Sequence, residues 1–182
     1  MKKIICFLVF VTSFIVLTQQ RSALGIVENE AASKGSFIAA YIKFDGVDGE
    51  AKDAGHKGWS DVISIKHQKA GPNRRLEMMK VYVKKDKSSA KLGEAFRNKK
   101  IFSRVLIHRN YSSKGKGRRV TYNRFELTNA RVTSYRMSKT GDNVGITLNY
   151  EKIEWTYNER DASGEKKRTV KYVWTDMRPL SN

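Results

Sequence analysis

Leu148-Asn149-Tyr150-Glu151-Lys152-Ile153-Glu154-Trp155-Thr156-Tyr157 decides how this chain folds. Val144, Ile146, Leu148 and Tyr150 keep one parity, and Ile153, Trp155 and Tyr157 keep the other. A period of two is the signature of a strand with one face turned inward. The phase reverses near Glu151-Lys152, which predicts a bulge or bend at which the inward face changes.

Outward from this segment the same alternation recurs. Ile38, Ala40, Ile42 and Phe44 form one face of a first strand, ended by Asp45-Gly46 and Asp48-Gly49. Trp59 and Val62 to Ile65 predict a second strand, and Met79, Val81 and Val83 a third. Ala70-Gly71-Pro72-Asn73, between the second and third strands, reads as a loop. Ile101, Val105 and Ile107 share one face of a later strand while Phe102, Leu106 and His108 share the other, so cover is expected on both sides. Strands at Val120 to Leu127 and Ala130 to Met137 follow, and Val170, Tyr172 and Trp174 are expected to close the sheet. The one helix is predicted over Ser89 to Asn98, capped by Ser88 or Ser89, with Leu92, Ala95 and Phe96 as its apolar stripe. Gly93 inside it costs about 1 kcal/mol against alanine, so the helix needs a docking surface. The expected fold is mainly β: a small closed β-barrel of two packed antiparallel sheets, with one α-helix on its side, preceded by a signal peptide.

That signal peptide is residues 1–25. Lys2 and Lys3 precede an apolar run from Ile4 to Leu17, and Ala23-Leu24-Gly25 places cleavage after Gly25. The run is shorter than the roughly 20 residues of a membrane-spanning helix, so no stable membrane insertion is expected after cleavage. Residues 26–36 read as a flexible leader and 37–182 as the folded domain. The expected location is secreted or periplasmic. Cys6, the only cysteine, leaves with the signal peptide, so neither disulfides nor cysteine-held metals are expected.

The 182-residue chain carries a formal net charge of +18; loss of Lys2, Lys3 and Arg21 with the leader leaves +15. Such an excess favours anionic partners. The basic clusters are Lys84-Lys85-Lys87, Lys99-Lys100, Lys114-Lys116-Arg118-Arg119 and Lys166-Lys167-Arg168. Lys114, Lys116, Arg118, Arg119, Lys166, Lys167 and Arg168 are the candidates for contacting an anionic ligand.

Catalytic chemistry is poorly provided for. His56, His67 and His108 are the only imidazoles, none at metal-ligand spacing with another and none in a recognisable triad pattern. His108, on an alternating strand, reads as a partly buried structural histidine. Asp45, Asp48, Glu50 and Asp53 miss the calcium-loop spacing and read as turn residues. Glu151 and Glu154 read as solvated strand charges rather than a hydrolase pair. No catalytic residue, metal or cofactor is expected.

Four segments in order resemble the haemolysin-coregulated protein family, the tube proteins of type VI secretion. They are Ala40-Tyr41-Ile42-Lys43-Phe44-Asp45-Gly46-Val47-Asp48-Gly49-Glu50; His56-Lys57-Gly58-Trp59 with Val62-Ile63-Ser64; Ser88-Ser89-Ala90-Lys91-Leu92, with alanine where the family has proline; and the stretch Leu148 to Tyr157. The resemblance implies a barrel with a helix at its side, six copies of which form a ring with a central channel, and rings that stack into a tube. It implies no catalysis, and as partners the chain itself, effector cargo, and spike or sheath proteins. Members with an enzymatic extension carry a further C-terminal domain, and with eight residues after Trp174 none is expected here. The family's tube proteins assemble in the cytoplasm without a cleavable leader, so the expectation here is an exported ring binding something anionic. The alternative is a monomeric secreted basic module for nucleic acid or acidic glycan; a small secreted hydrolase is disfavoured by the histidine and cysteine inventory.

Overall fold

The computed structural model describes residues 37–69, 77–112, 119–160 and 166–175. The leader with Gly25, the Ala70–Asn73 and Ser113–Arg118 loops, and the Asp161–Gly164 turn lie outside the described residues.

Eight strands and one helix follow in chain order: β1 (Phe37–Phe44), β2 (Ser60–Lys69), β3 (Glu77–Lys84), α1 (Ser88–Arg97), β4 (Ile101–Ser112), β5 (Arg119–Met137), β6 (Asn143–Asn149), β7 (Lys152–Arg160) and β8 (Lys166–Thr175). They make one sheet in the order β4-β1-β2-β3-β6-β5-β7-β8, and an additional β4–β5 pairing closes its first six strands into a barrel. The expected two packed sheets are therefore one continuous sheet closed on itself. Closure removes the free edges of those six strands. Inside lie the residues that the alternation marks: Ile42, Phe44, Met79, Val81, Val83, Val105, Ile107, Val144, Ile146 and Leu148.

The phase reversal in Leu148 to Tyr157 is a bend shared by three strands. β5 holds β6 and β7 along the same edge, β6 against Arg131 to Met137 and β7 against Asn123 to Thr128. The buried side switches from Phe125 and Leu127 to Ala130 and Val132 on β5, and from Tyr150 to Ile153 where β6 gives way to β7. On β4 it switches from Phe102 to Val105 and Ile107. The pairing skips Ser103 and Asn129, while Phe102↔Ala130 and Arg104↔Thr128 hold on either side. Asn129 absorbs the turn with a left-handed φ of 49°, which asparagine tolerates better than most residues. The strands reverse together, so their register survives while the face turns over. Consequently Ile101 lies exposed and β4 does not carry two apolar faces along its length.

Two further expectations are corrected. Val170, Tyr172 and Trp174 do not close the barrel: β8 pairs with β7, outside the six-strand circuit. The helix is capped by neither Ser88 nor Ser89 acting on its first turn. Instead Asp86 accepts from the Ser88 amide at 2.9 Å, and Ser89 Oγ accepts from the Asp86 amide at 3.1 Å. Both serines are buried inside the first turn. α1 docks through Leu92 and Ala95 in the core, with the Tyr135 hydroxyl donating to the Ser89 carbonyl at 3.0 Å. Phe96, expected on the same stripe, is exposed.

Candidate functional site

The β1–β2 connection, residues 45–59, folds back on itself as a strap over the outside of the barrel. The Gly49 amide donates to the Gly58 carbonyl at 2.9 Å and the Ala51 amide to the Trp59 carbonyl at 2.7 Å. A side chain at Gly49 would collide with Ser60 and the Trp59 backbone, so only glycine lets the two limbs approach. Ser103 Oγ donates to Asp45 at 2.5 Å, which ties one end to β4. The Lys87 amide donates to Glu50 at 3.2 Å, which ties the middle to the start of α1. Asp48 accepts from Lys43, and that ammonium holds its carboxyl below the usual carboxylate range. The four acids of this segment thus serve separate partners, in keeping with their reading as turn residues.

Beneath the strap two histidines meet. Asp53 Oδ1 lies 2.7 Å from His56 Nδ1, and His56 Nε2 lies 2.9 Å from His108 Nδ1. Tyr41 stacks on His56 with centroids 4.3 Å apart, and Trp59 packs against both imidazoles. His108 Nε2 is buried with no hydrogen-bond partner among the described residues. If His56 donates from Nδ1 to Asp53, its neutral Nε2 must accept, so His108 donates from Nδ1. Burial first, then the nearby His56 and Arg124, push His108 down to about 4. The expected structural role of His108 agrees with this enclosed position. The Asp53–His56–His108 chain itself was not legible in the sequence, because its histidines stand 52 positions apart. Among the described residues, no cluster of three or more His, Cys, Asp or Glu could hold a metal.

The second feature is the β7–β8 hairpin. The barrel's inner face continues out along it as Phe125, Trp155, Tyr172 and Trp174, stacked in sequence at 6.1, 5.3 and 5.7 Å. The buried Asn123 fixes the row by accepting from Trp155 Nε1 at 2.8 Å. Burial falls along the row: Phe125 is 5% exposed, Tyr172 46% and Trp174 49%.

Of the predicted anion contacts, Lys114, Lys116 and Arg118 lie outside the described residues, and Arg119 opens β5. Lys166, Lys167 and Arg168 are exposed on β8. Glu159 engages Arg168 and stands 3.9 Å from Lys167. Glu154 binds Lys152 and Lys171, each at 2.6 Å, and these ammonium groups pull its carboxyl down to about 2. Glu154 is thus the neutralising centre of the hairpin.

The described residues thus form a six-strand closed antiparallel barrel with one helix at its side and an aromatic hairpin outside it, the architecture of a structural subunit. The family model for "Type VI secretion system effector, Hcp" matches residues 41–157, and the chain belongs to this Hcp family of type VI secretion tube proteins. Solved structures with the same fold include a type six secretion system protein, 23% identical with a TM-score of 0.65, covering 76% of this chain and 96% of that one. Hcp1 from Salmonella typhimurium is 17% identical with a TM-score of 0.61, covering 76% of this chain and 94% of its own. The secreted protein Hcp3 from Pseudomonas aeruginosa is 17% identical with a TM-score of 0.61, covering 78% and 100% respectively. No curated protein matches the sequence.

Proposed function

We propose that this chain is a ring-forming tube-type subunit, six copies of which close head to tail and whose rings stack to hold or convey cargo. The observation carrying this reading is the aromatic shelf of β7–β8. Trp155, Tyr172 and Trp174 extend a core face beyond the core, with nothing of the described chain laid over the last two. Contiguous exposed apolar surface of this kind marks an interaction site, and β8, last in the sheet order, has one edge unpaired among the described residues.

In the six-strand circuit, β2 is the strand farthest from β5, and it carries Ile63 at 56% exposed beside a register shift. A hairpin reaching out from β5 to the β2 side of the next copy makes a heterologous contact, the kind that closes rings. Membership of the Hcp family supports a type VI tube as the setting, and effector cargo, spike and sheath proteins are the proposed partners. Export through the leader ending at Gly25, to the periplasm or outside, fits the description of Hcp3 as a secreted protein. In the mature ring the +15 charge of each copy is screened only beyond about 8 Å at physiological salt, so assembly should tighten as salt rises.

Light scattering after size exclusion across a salt series, with negative-stain imaging, tests the proposal. Rings with open centres, favoured at higher salt, are expected; a monomer at every salt and concentration removes the reading.

A further inference from the structure

We propose that the outer face of β2, β3, β6 and β5 binds single-stranded nucleic acid, through Lys66, Lys80, Lys84 and Arg136 around the flat ring of Tyr82. The pairing register builds this face. Lys66↔Lys80 and Lys80↔Thr147 are direct partners, as are Ser64↔Tyr82, Tyr82↔Gly145 and Gly145↔Arg136. Each of these positions on β3, β6 and β5 has its chain neighbours' side chains in or against the core, or lies in register with one that does, so the set faces out. Neighbouring strands stand about 4.8 Å apart and alternate residues about 6.7 Å apart, which spreads the four cations over an area several nucleotides long.

Three observations point to a polyanion rather than a merely soluble surface. First, none of the four cations forms an ion pair among the described residues, whereas on the β7–β8 hairpin Lys152 and Lys171 pair with Glu154, and Lys167 and Arg168 with Glu159. Second, Lys66 directly opposes Lys80, an arrangement that destabilises a sheet and that solubility alone does not require. Third, the adjoining positions Ser64, Ser134, Thr147 and Gly145 are small and uncharged, and Asp61, one step past the Val62↔Val83 pair toward Lys84, forms no ion pair with it among the described residues. The local field also holds the Tyr82 hydroxyl below the ordinary tyrosine range, chiefly through Lys80 and then Lys66.

Tyr82 selects single strands among polyanions. Its ring lies along the sheet over Gly145, where an added Cβ would stand 3.1 Å from Tyr82 Cε1. Lys80 Nζ sits 5.3 Å from the ring centroid. A base can take that place over the ring, releasing Lys80 to the flanking phosphate, as on other sheet platforms that pair stacking with cations. A flat face offers nothing to insert into a duplex groove, and an acidic peptide would gain nothing from the ring.

The test is fluorescence anisotropy of the purified full chain with labelled short oligothymidylate. The inference is independent of ring closure, and oligomeric state is read separately by light scattering. Removing Lys66 and Lys80 (K66Q with K80Q) should weaken binding by about tenfold or more near 0.1 M salt and lower the salt slope by about 1.4. Lys167→Gln with Arg168→Gln, which removes the same charge from the hairpin, should change it by less than about threefold. Tyr82→Ala should weaken oligothymidylate binding with the salt slope unchanged, and should abolish its advantage over an abasic strand of equal length. Equal weakening by the two double variants, or binding of oligoglutamate of equal charge as tight as that of oligothymidylate, would overturn the proposal.

Discussion

His56 Nε2 lies 2.9 Å from His108 Nδ1, and the pair joins the β1–β2 strap to the outer face of β4. The groups facing this pair are Asp53 and Trp59 from the strap, Tyr41 from β1 and Arg124 from β5, with Glu126 holding Arg124 at 2.8 Å. His108 falls from its ordinary 6.5 to about 4, so the unfolded chain takes up a proton that the folded chain refuses. The contribution of this group to stability is therefore full above pH 6.5, is lost as the pH falls toward about 4, and does not change further below that. Denaturation midpoints at pH 7, 5.5 and 4 should show this slope, and His108→Phe should flatten it.

Asp53 accepts from the Gly55 amide at 3.1 Å as well as facing His56, so it both caps a short 3-10 turn, Ala54–His56, and orients the imidazole. Both contacts are made by Asp53 Oδ1, so Asp53→Asn can keep them through its amide oxygen, exchanging hydrogen bonds to a carboxylate for weaker ones to a neutral amide. A loss of about 1 kcal/mol is expected in urea unfolding. Asp53→Ala should cost more, since it removes both contacts.

Gly93 has ordinary helical geometry, and a Cβ there would sit 3.4 Å from the Tyr135 ring, a normal contact. Gly93→Ala should raise stability by about 0.5–1 kcal/mol through the backbone entropy of the unfolded chain. A thermal melt reads this directly; a lowered midpoint would mean that Tyr135 cannot tolerate the added methyl.

Asn129 takes a φ of 49° and donates from Nδ2 to Glu151 at 2.6 Å across the bend. Asn129→Ala should cost about 1–3 kcal/mol, since alanine lacks the short polar side chain that lets asparagine adopt a left-handed conformation, and the hydrogen bond to Glu151 is lost. Asn129→Gly should cost less, because it restores the conformation and loses only the bond.

Tyr172 and Trp174 contribute little to the isolated subunit but, on the ring proposal, much to assembly. Tyr172→Ser with Trp174→Ser should leave the monomer's unfolding midpoint nearly unchanged while abolishing rings in light scattering and negative stain. Loss of folding in this variant would instead make the hairpin part of the subunit's own core.

Glu154 should titrate near 2 in an NMR pH series, well below its ordinary 4.5, because Lys152 and Lys171 flank it. Its folded value is depressed, so its contribution is present above pH 4.5 and lost as the pH falls toward 2. High salt should move the midpoint upward by screening the two ammonium groups.

Much of this was legible along the chain. Alternation at Met79, Val81 and Val83, and again at Val144, Ile146 and Leu148, marks the inner face, because burial on one side of a strand imposes a period of two. The parity change between Tyr150 and Ile153 places the bend, and four ordered segments identify the family. Tertiary structure alone decided that β4 pairs β5 to close the barrel while β8 stays outside, that His56 meets His108, and that Lys66 stands opposite Lys80. A strand's periodicity reports which of its faces is inside, but not which strand lies beside it. That neighbour is fixed by the register of distant segments, and with it every contact made across the strands.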